Sequence, residues 1–262
     1  MLLAIDCGNT HITFGCMRAG TAKTVFRIPT DRRETDFGYA AKIRQVLELG
    51  GVEPDTLTDA VISCVVPPLS EVLARACALL TGKAPLVVGA GVKTGLHIRI
   101  NDPGTVASDL VASAVAARET YPLPVIVVDL GTAITLTVVD AEGKYIGGAI
   151  LPGVGISLHA LSEKTALLPL IEVRPPKSPI GSNTVESMRS GILYGTAGAI
   201  DGLIDRMTAE LGTDRVSVVA TGGLASTVCP ACRHDLTVDE QLLLRGLALI
   251  YERNRGDAAR NA

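Results

Sequence analysis

Residues 2–10 of this chain read LLAIDCGNT, and residues 125–135 read VIVVDLGTAIT. Each is an apolar run that ends in Asp-x-Gly and a short hydroxyl- or amide-bearing stretch. Such a run is expected to be a buried strand ending in a sharp turn. Each copy leads into two further strand-like segments, residues 11–17 and 23–28 after the first and 135–140 and 145–150 after the second. The turns between these are expected at Ala19-Gly20 and Ala141-Glu142-Gly143. Helical periodicity follows at residues 35–50 and 69–81, and again at 154–163 and 185–211, with later strands at 60–66 and 215–220. Two copies of one strand–hairpin–helix–strand plan predict two α/β domains, residues 1–120 and 121–262, with a cleft between them. A helix from Gly104 to Tyr121 is expected to join the halves, with Asn101-Asp102-Pro103-Gly104 and Tyr121-Pro122-Leu123-Pro124 as its boundary signals. The competing reading is one doubly wound sheet in which the two Asp-Gly strand ends coincide by chance.

The chemistry of these strand ends suits phosphate. Glycine after a strand lets the backbone approach a phosphate closely and turn sharply. Asn9, Thr10 and Thr132, with nearby backbone N–H groups, can donate to phosphate oxygens. Asp6 and Asp129 repel phosphate directly, but each can hold a cation or its waters, and that cation then bridges to the phosphates. Ala220-Thr221-Gly222-Gly223-Leu224 follows a strand, and its small residues permit close approach to the flat end of a nucleotide. The pattern is neither a Walker A loop nor a dinucleotide fingerprint, since GxxxxGK[ST] and a strand-end GxGxxG are both missing from the chain. One Asp-x-Gly-Asn-Thr is more often a turn than a site; three such loops in this order are more specific.

Composition narrows the function classes. Of 262 residues 47% are hydrophobic and 19% charged, a globular balance, and the formal net charge of -3 gives no bulk attraction to nucleic acid or anionic lipid. Aromatic residues are 3% and Trp is absent, which leaves little for a base-stacking surface. The opening residues Met1–Asp6 reach a carboxylate at once without a basic region, and read as a strand and not as a signal peptide. No apolar run approaches bilayer length, so a soluble, cytoplasmic protein is expected. Cys7, Cys16 and Cys64 in strand contexts and Cys77 in a helical one read as small hydrophobes. Cys229-Pro-Ala-Cys232 with His234 supplies at most three metal ligands, and reads as a loop with two reduced thiols ahead of a zinc or redox site.

Over nearly its whole length the sequence resembles type III pantothenate kinase. The carrying segments are Asp6-Cys-Gly-Asn-Thr10, Val65-Val-Pro-Pro68, Gly91-Val-Lys-Thr-Gly95, Asp129-Leu-Gly-Thr-Ala133, Gly147-Gly-Ala-Ile-Leu-Pro-Gly153, Thr165-Ala-Leu-Leu-Pro169, Gly181-Ser-Asn-Thr184 and Thr221-Gly-Gly223. The resemblance implies a duplicated actin/sugar-kinase (ribonuclease H-like) fold and a homodimer. It implies ATP-dependent phosphorylation of the terminal hydroxyl of pantothenate, the first step towards coenzyme A. Mg2+ and a monovalent cation, K+ or NH4+, are the implied ions. Residue by residue, it assigns the stretch from Asp6 through Gly8, Asn9, Thr10 and His11 to Thr13 to the ATP phosphates and Mg2+. It assigns Asp129 to the monovalent cation and Thr132 to ATP, while the reading of the loops themselves adds Gly131, Gly222 and Gly223 as nucleotide-binding candidates. Asp109 falls on the catalytic base, Ile100, Ala107, Ser108 and Leu110 on the substrate pocket, and Thr184 on a substrate contact supplied by the partner subunit.

Asp109 has an argument of its own. It lies near the start of a predicted helix, where the dipole favours an ionised carboxylate. A carboxylate that orients a primary hydroxyl and takes its proton late serves phosphoryl transfer. The plainer reading is a first-turn helix carboxylate and nothing more. The family pattern also breaks in places. Gly-Ala-Asp-Arg around the base is here Ala107-Ser108-Asp109-Leu110, Ile100 replaces a pocket Tyr, and Ile134 replaces a Thr. The nucleotide side is nearly intact while two substrate contacts have become apolar, with Arg99 or Ser108 as candidates to compensate. Three functions therefore stand: a pantothenate kinase, a kinase for another small hydroxy acid or a less polar analogue, and a non-catalytic nucleotide-binding paralogue.

Among the remaining residues, His11 is read as either a nucleotide contact or a hairpin residue, and His97 and His159 as structural. Asp31-Arg32-Arg33-Glu34 is expected to be a solvated connection, and Gly191-Ile-Leu-Tyr-Gly195 to permit close helix packing at a dimer interface. The charged, Ala-rich tail from Arg253 is expected to fray.

Overall fold

A computed structural model describes residues 1–18 and 20–258, apart from the side chains of residues 23 and 256–258. In chain order the strands are β1 (Leu2–Cys7), β2 (His11–Arg18), β3 (Thr21–Pro29), β4 (Asp59–Cys64), β5 (Leu86–Val87), β6 (His97–Ile98), β7 (Val125–Leu130), β8 (Ala133–Val139), β9 (Lys144–Pro152), β10 (Ser217–Thr221) and β11 (Thr237–Val238). The helices are α1 (Asp36–Leu49), α2 (Pro67–Thr81), α3 (Ser108–Thr120), α4 (Val154–Lys164), α5 (Thr184–Leu211), the short α6 (Ala225–Val228) and α7 (Leu242–Ala258). The chain divides into two compact units, one of Met1–Thr120 with the segment from Gln241, the other Tyr121–Glu240.

In the first unit β1, β2 and β3 form an antiparallel meander, and β4 and β5 add in parallel beyond β1, giving the order β3-β2-β1-β4-β5. Period-two alternation sends Leu3, Ile5 and Cys7 of β1, Ile12 and Phe14 of β2 and Ile62 of β4 into one core. Helices α1 and α2 cover that face with Tyr39, Ile43, Leu47, Leu69 and Leu73, all fully buried. Each such burial contributes roughly 1.5–3 kcal/mol. The helix starts are local chemistry: Thr35 Oγ1 accepts from the Gly38 N–H at 3.1 Å, and Pro67 and Pro68 occupy first-turn positions where no N–H is needed.

The opposite face of the same sheet carries α3 on β4 and α7 on β1. α3 and α7 lie against each other, and a Cβ at Gly246 would stand only 1.8 Å from the Ala112 carbonyl oxygen. Here the sequence expectations need three corrections. The segment from Gln241 belongs to the first unit and not to residues 121–262, because Leu242, Leu244, Leu247 and Ile250 bury there. Helix α3 starts at Ser108; the residues expected to open it form a separate 3-10 turn at Pro103–Thr105, with Asp102 Oδ1 accepting from Gly104 N at 3.2 Å. Lastly, α7 runs on through Arg253, which pairs with Glu119 at 2.8 Å, and Asn254, which exchanges two hydrogen bonds with the Lys93 backbone. Residues 259–262 lie outside the described residues, as does Ala19 of the first expected turn.

The second unit repeats the plan. Strands β7, β8 and β9 form the meander, β10 runs parallel to β7 and β11 parallel to β10, so the order β9-β8-β7-β10-β11 matches that of the first unit strand for strand. Ile126, Val128, Leu130, Ile134 and Leu136 form a core with Val154 and Leu158 of α4 and Leu193 and Ile200 of α5. α5 opens at an Asn183 cap whose Oδ1 accepts from Glu186 N at 3.0 Å. Among the described residues no helix is long and apolar enough to cross a membrane.

Candidate active site

Strand register places hydroxyl groups on both sides of each strand-end aspartate. Asp6 stands opposite Thr13 on antiparallel β2 and beside Ser63 on parallel β4. Asp129 stands opposite Thr135 on β8 and beside Thr221 on β10. In-register neighbours share a face of the sheet, so each carboxylate lies in a row between two hydroxyls. In the first unit this row is on the face that carries α3 and α7, because Leu3, Ile5 and Cys7 point the other way.

The loop after β1 is held tightly. Gly8 N donates to the His11 carbonyl at 3.0 Å, Thr30 Oγ1 to the Gly8 carbonyl at 2.7 Å, and Thr30 N to the Thr10 carbonyl at 3.0 Å. Asn9, Thr10 and His11 are exposed at the tip, and Thr13 is half-buried. Arg32, expected to sit in a plain connection, donates to Asn9 Oδ1 at 3.2 Å and brings a guanidinium to this loop.

Asp109 is joined to the same row. Ser63 Oγ and Ser108 Oγ lie 3.0 Å apart, and Ser63 is fully buried. This bond ties the start of α3 to the strand beside Asp6. Asp109 follows at once, its Oδ1 accepting from Leu110 N at 2.7 Å. Burial pushes the Asp109 carboxyl above its ordinary range, and the backbone hydrogen bonds only partly oppose this. The helix dipole was expected to hold it ionised; desolvation is the larger effect. Ala107, Ser108 and Leu110 are half-buried around it, and Val111 N donates to the Ala107 carbonyl at 3.1 Å. Ile100 is half-buried in the stretch before the 3-10 turn.

In the second unit Gly131 N donates to the Ala133 carbonyl at 3.1 Å, and Gly131 and Thr132 are exposed at the turn. The Thr221–Leu224 stretch folds against this loop. Gly222 has φ +94°, and a Cβ there would lie 2.5 Å from Asp129 Oδ1 and 2.7 Å from the Leu130 backbone. Only glycine fits that approach. Gly223 continues the turn, closed by Leu224 N donating to the Leu130 carbonyl at 3.4 Å. Ile134 is 2% exposed in the core of this unit, so its apolar side chain has a packing role. Thr184 is the first residue of α5, beside a groove of about 550 Å³ lined by Leu161, Leu168, Ser187, Met188, Gly191 and Ile192. None of those neighbours is another of the candidate residues.

A family model for type III pantothenate kinase matches residues 2–206. The chain belongs to the type III pantothenate kinase family. A type III pantothenate kinase of Anaeromyxobacter dehalogenans is 42% identical over 255 residues, covering 97% of this chain and all of the relative. One of Moorella thermoacetica is 44% identical over the same shares. Solved structures similar in fold include the activator of 2-hydroxyisocaproyl-CoA dehydratase from Clostridium difficile with bound ADPNP, at 12% identity, a TM-score of 0.61 and coverage of 100% of this chain and 97% of that one. Component A of the Acidaminococcus fermentans (R)-2-hydroxyglutaryl-CoA dehydratase gives 16%, 0.56, 95% and 96%. At such identity these two show the fold alone, the two-domain actin/sugar-kinase type.

In this member of the type III pantothenate kinase family, both aspartates, both loops and Asp109 are the candidates that sequence reasoning names. It missed Ser63, read Arg32 as part of a plain connection, and quoted Thr135 and Thr221 without placing them beside Asp129. Ser63 carries no motif of its own, and only strand register brings it beside Asp6 and brings Thr135 and Thr221 beside Asp129. Arg32 could have been suspected from its position just after the strand that closes the first hairpin.

Proposed function

We propose that this protein transfers the γ-phosphoryl group of ATP to the terminal hydroxyl of pantothenate, giving 4'-phosphopantothenate and ADP in the first step towards coenzyme A. The observation that carries this reading is the half-buried Asp109, next to Ser108, whose bond to Ser63 ties the start of α3 to the strand beside Asp6. Asp109 accepts the hydroxyl proton as the new P–O bond forms and the bond to the ADP oxygen breaks. Its raised affinity for a proton, relative to an exposed carboxylate, suits that late step. Asn9, Thr10, His11 and Thr13 after β1 and Thr132 after β7 donate to phosphate oxygens, while Gly8 and Gly131, whose own N–H groups close their turns, let the backbone approach the phosphates. Gly222 and Gly223 let the backbone approach the nucleoside.

The donor set fits magnesium. Asp6 and Asp129 are single hard carboxylates, and among the described residues no group of three or more His, Cys, Asp or Glu forms a protein cage. Mg2+ is commonly held by one or two carboxylates, with water and substrate phosphates completing the octahedron. When bound, the ion supplies charge neutralisation on the transferring phosphates. Asp6 is its ligand in this reading, and Asp129 serves the monovalent cation, K+ or NH4+. The enzyme is a cytoplasmic homodimer in the same reading, with Thr184 reaching the partner's substrate. Support for a dimer comes from α5, where added Cβ atoms at Gly191, Gly195 and Gly198 would meet no heavy atom within 4 Å.

A second reading rests on Leu110 and Ile100, which offer neither charge nor hydrogen bond where the resemblance expects Arg and Tyr. It assigns the same chemistry to a less polar pantothenate-like hydroxy acid. Transfer of label from γ-33P-ATP decides between them. Labelled phosphopantothenate at millimolar pantothenate supports the first reading; label only on a less polar analogue supports the second. Absence of transfer to any hydroxy acid leaves the non-catalytic paralogue.

A further inference from the structure

Cys7 and Cys64 are one pair, although 57 positions separate them in the chain. They are in-register neighbours at the carboxyl ends of parallel β1 and β4. Both face the α1–α2 core, and the Val65 N–H donates to the Cys7 carbonyl at 3.0 Å. Adjacent strands run about 4.7–4.9 Å apart, within the roughly 4.4–6.8 Å between Cα atoms that a disulfide spans. Cys7 is fully buried, while Cys64 is partly exposed and donates to the Val66 carbonyl at 3.3 Å. Cys64 is therefore the half of the pair nearer solvent, with Cys7 behind it. Cys7 also lies between Asp6 and Gly8, so any change at its sulfur acts on the first loop.

We propose that Cys7 and Cys64 form a thiol–disulfide exchange site, at which oxidation by a low-molecular-weight disulfide withdraws the first loop from ATP. The Cys64 sulfur, having lost its proton to solvent, attacks one sulfur of the external disulfide and expels one thiolate. The Cys7 sulfur then attacks the Cys64 sulfur of the mixed disulfide. Its proton leaves with the second thiolate. Two protein thiols are oxidised, one external disulfide is reduced to two thiols, and dithiol reductants reverse both steps. In a reducing compartment a bond of this kind is transient and regulatory. The parallel-strand pairing must adjust to bring two in-register Cβ atoms to about 3.5–4.5 Å. That adjustment moves the backbone on both sides of Cys7, where Asp6 and Gly8 sit. The loss of ATP rests on the kinase reading of this loop; the disulfide itself does not.

The full-length protein is equilibrated with mixtures of reduced and oxidised glutathione. It is then mapped by non-reducing peptide mass spectrometry and titrated with trinitrophenyl-ATP. The expected result is a Cys7–Cys64 peptide pair with affinity for the nucleotide lowered about tenfold or more, restored by dithiothreitol. The variant Cys64→Ser is expected to keep the reduced protein's affinity in the oxidising mixture. Absence of the Cys7–Cys64 pair overturns the proposal, as does an equal loss of affinity in Cys64→Ser. If the pair forms but the reduced protein fails to bind the nucleotide, the nucleotide assignment of the loop falls and the exchange site stands.

Discussion

Two opposing fields act on the Asp109 carboxyl. The first turn of α3 favours its ionised form, yet burial raises its proton affinity further than the backbone hydrogen bonds lower it. A carboxyl whose proton affinity is raised by folding stabilises the fold only while protonated, and that contribution is lost as pH rises. Asp109→Asn is therefore expected to match the parent at low pH and to melt higher at neutral pH, with the gap opening above the usual carboxylate range. Thermal melts from pH 4 to pH 8 measure this, and a gap that stays constant contradicts the assignment. Leu110 is the second decisive residue. Leu110→Arg is expected to lower KM for pantothenate by about 10- to 100-fold with kcat nearly unchanged, since a bidentate contact to a carboxylate is worth a few kcal/mol. Steady-state kinetics decide it, and an unchanged KM removes Leu110 from the substrate pocket. At this scale the aspartates were legible because Asp-x-Gly after an apolar run is a local signal. The placing of Ser63 beside Asp6 and of Thr135 and Thr221 beside Asp129 was not, because register is set by pairing across the sheet.

Elements fix where those residues point. The Ser63–Ser108 bond and the close approach of α7 at Gly246 hold α3 from two sides. Gly246→Ala has to push a methyl into the Ala112 carbonyl one turn from Asp109. It is expected to cost about 1–3 kcal/mol of stability and to lower kcat more than it raises KM for ATP. Urea unfolding and steady-state kinetics read the two effects. On the other unit, Gly222→Ala combines a positive φ, worth about 1–2 kcal/mol against a side chain, with overlap on Asp129. Its expected signature is KM for ATP raised about tenfold, and a KM equal to the parent's would contradict a nucleotide role for that loop. Most element positions were legible: Thr35 and Gly50 bracket α1, and the helix expected at 69–81 is α2, which starts two residues earlier at Pro67. The start of α3 was not, because Pro103-Gly104 satisfies the same start signals in a 3-10 turn.

At the scale of the whole molecule, the duplication visible in two strand-end motifs extends to identical strand orders in the two units. The fold was readable because each half repeats one order of strand, hairpin and helix. The return of α7 to the first unit was not readable, since its apolar stripe of Leu242, Leu244, Leu247 and Ile250 specifies burial without naming the surface. Most departures from the family pattern, Leu110 and Ile100, fall on the expected acyl-substrate side, and the candidate phosphate loops depart at Ile134. That division makes the substrate the point on which the account turns. The most direct test is ADP release by the purified protein with ATP, Mg2+ and K+, with and without pantothenate, beside Asp109→Asn. The expected result is pantothenate-dependent release that falls by about 100- to 10,000-fold in the variant. Release that ignores pantothenate, or that the variant retains in full, would contradict the account.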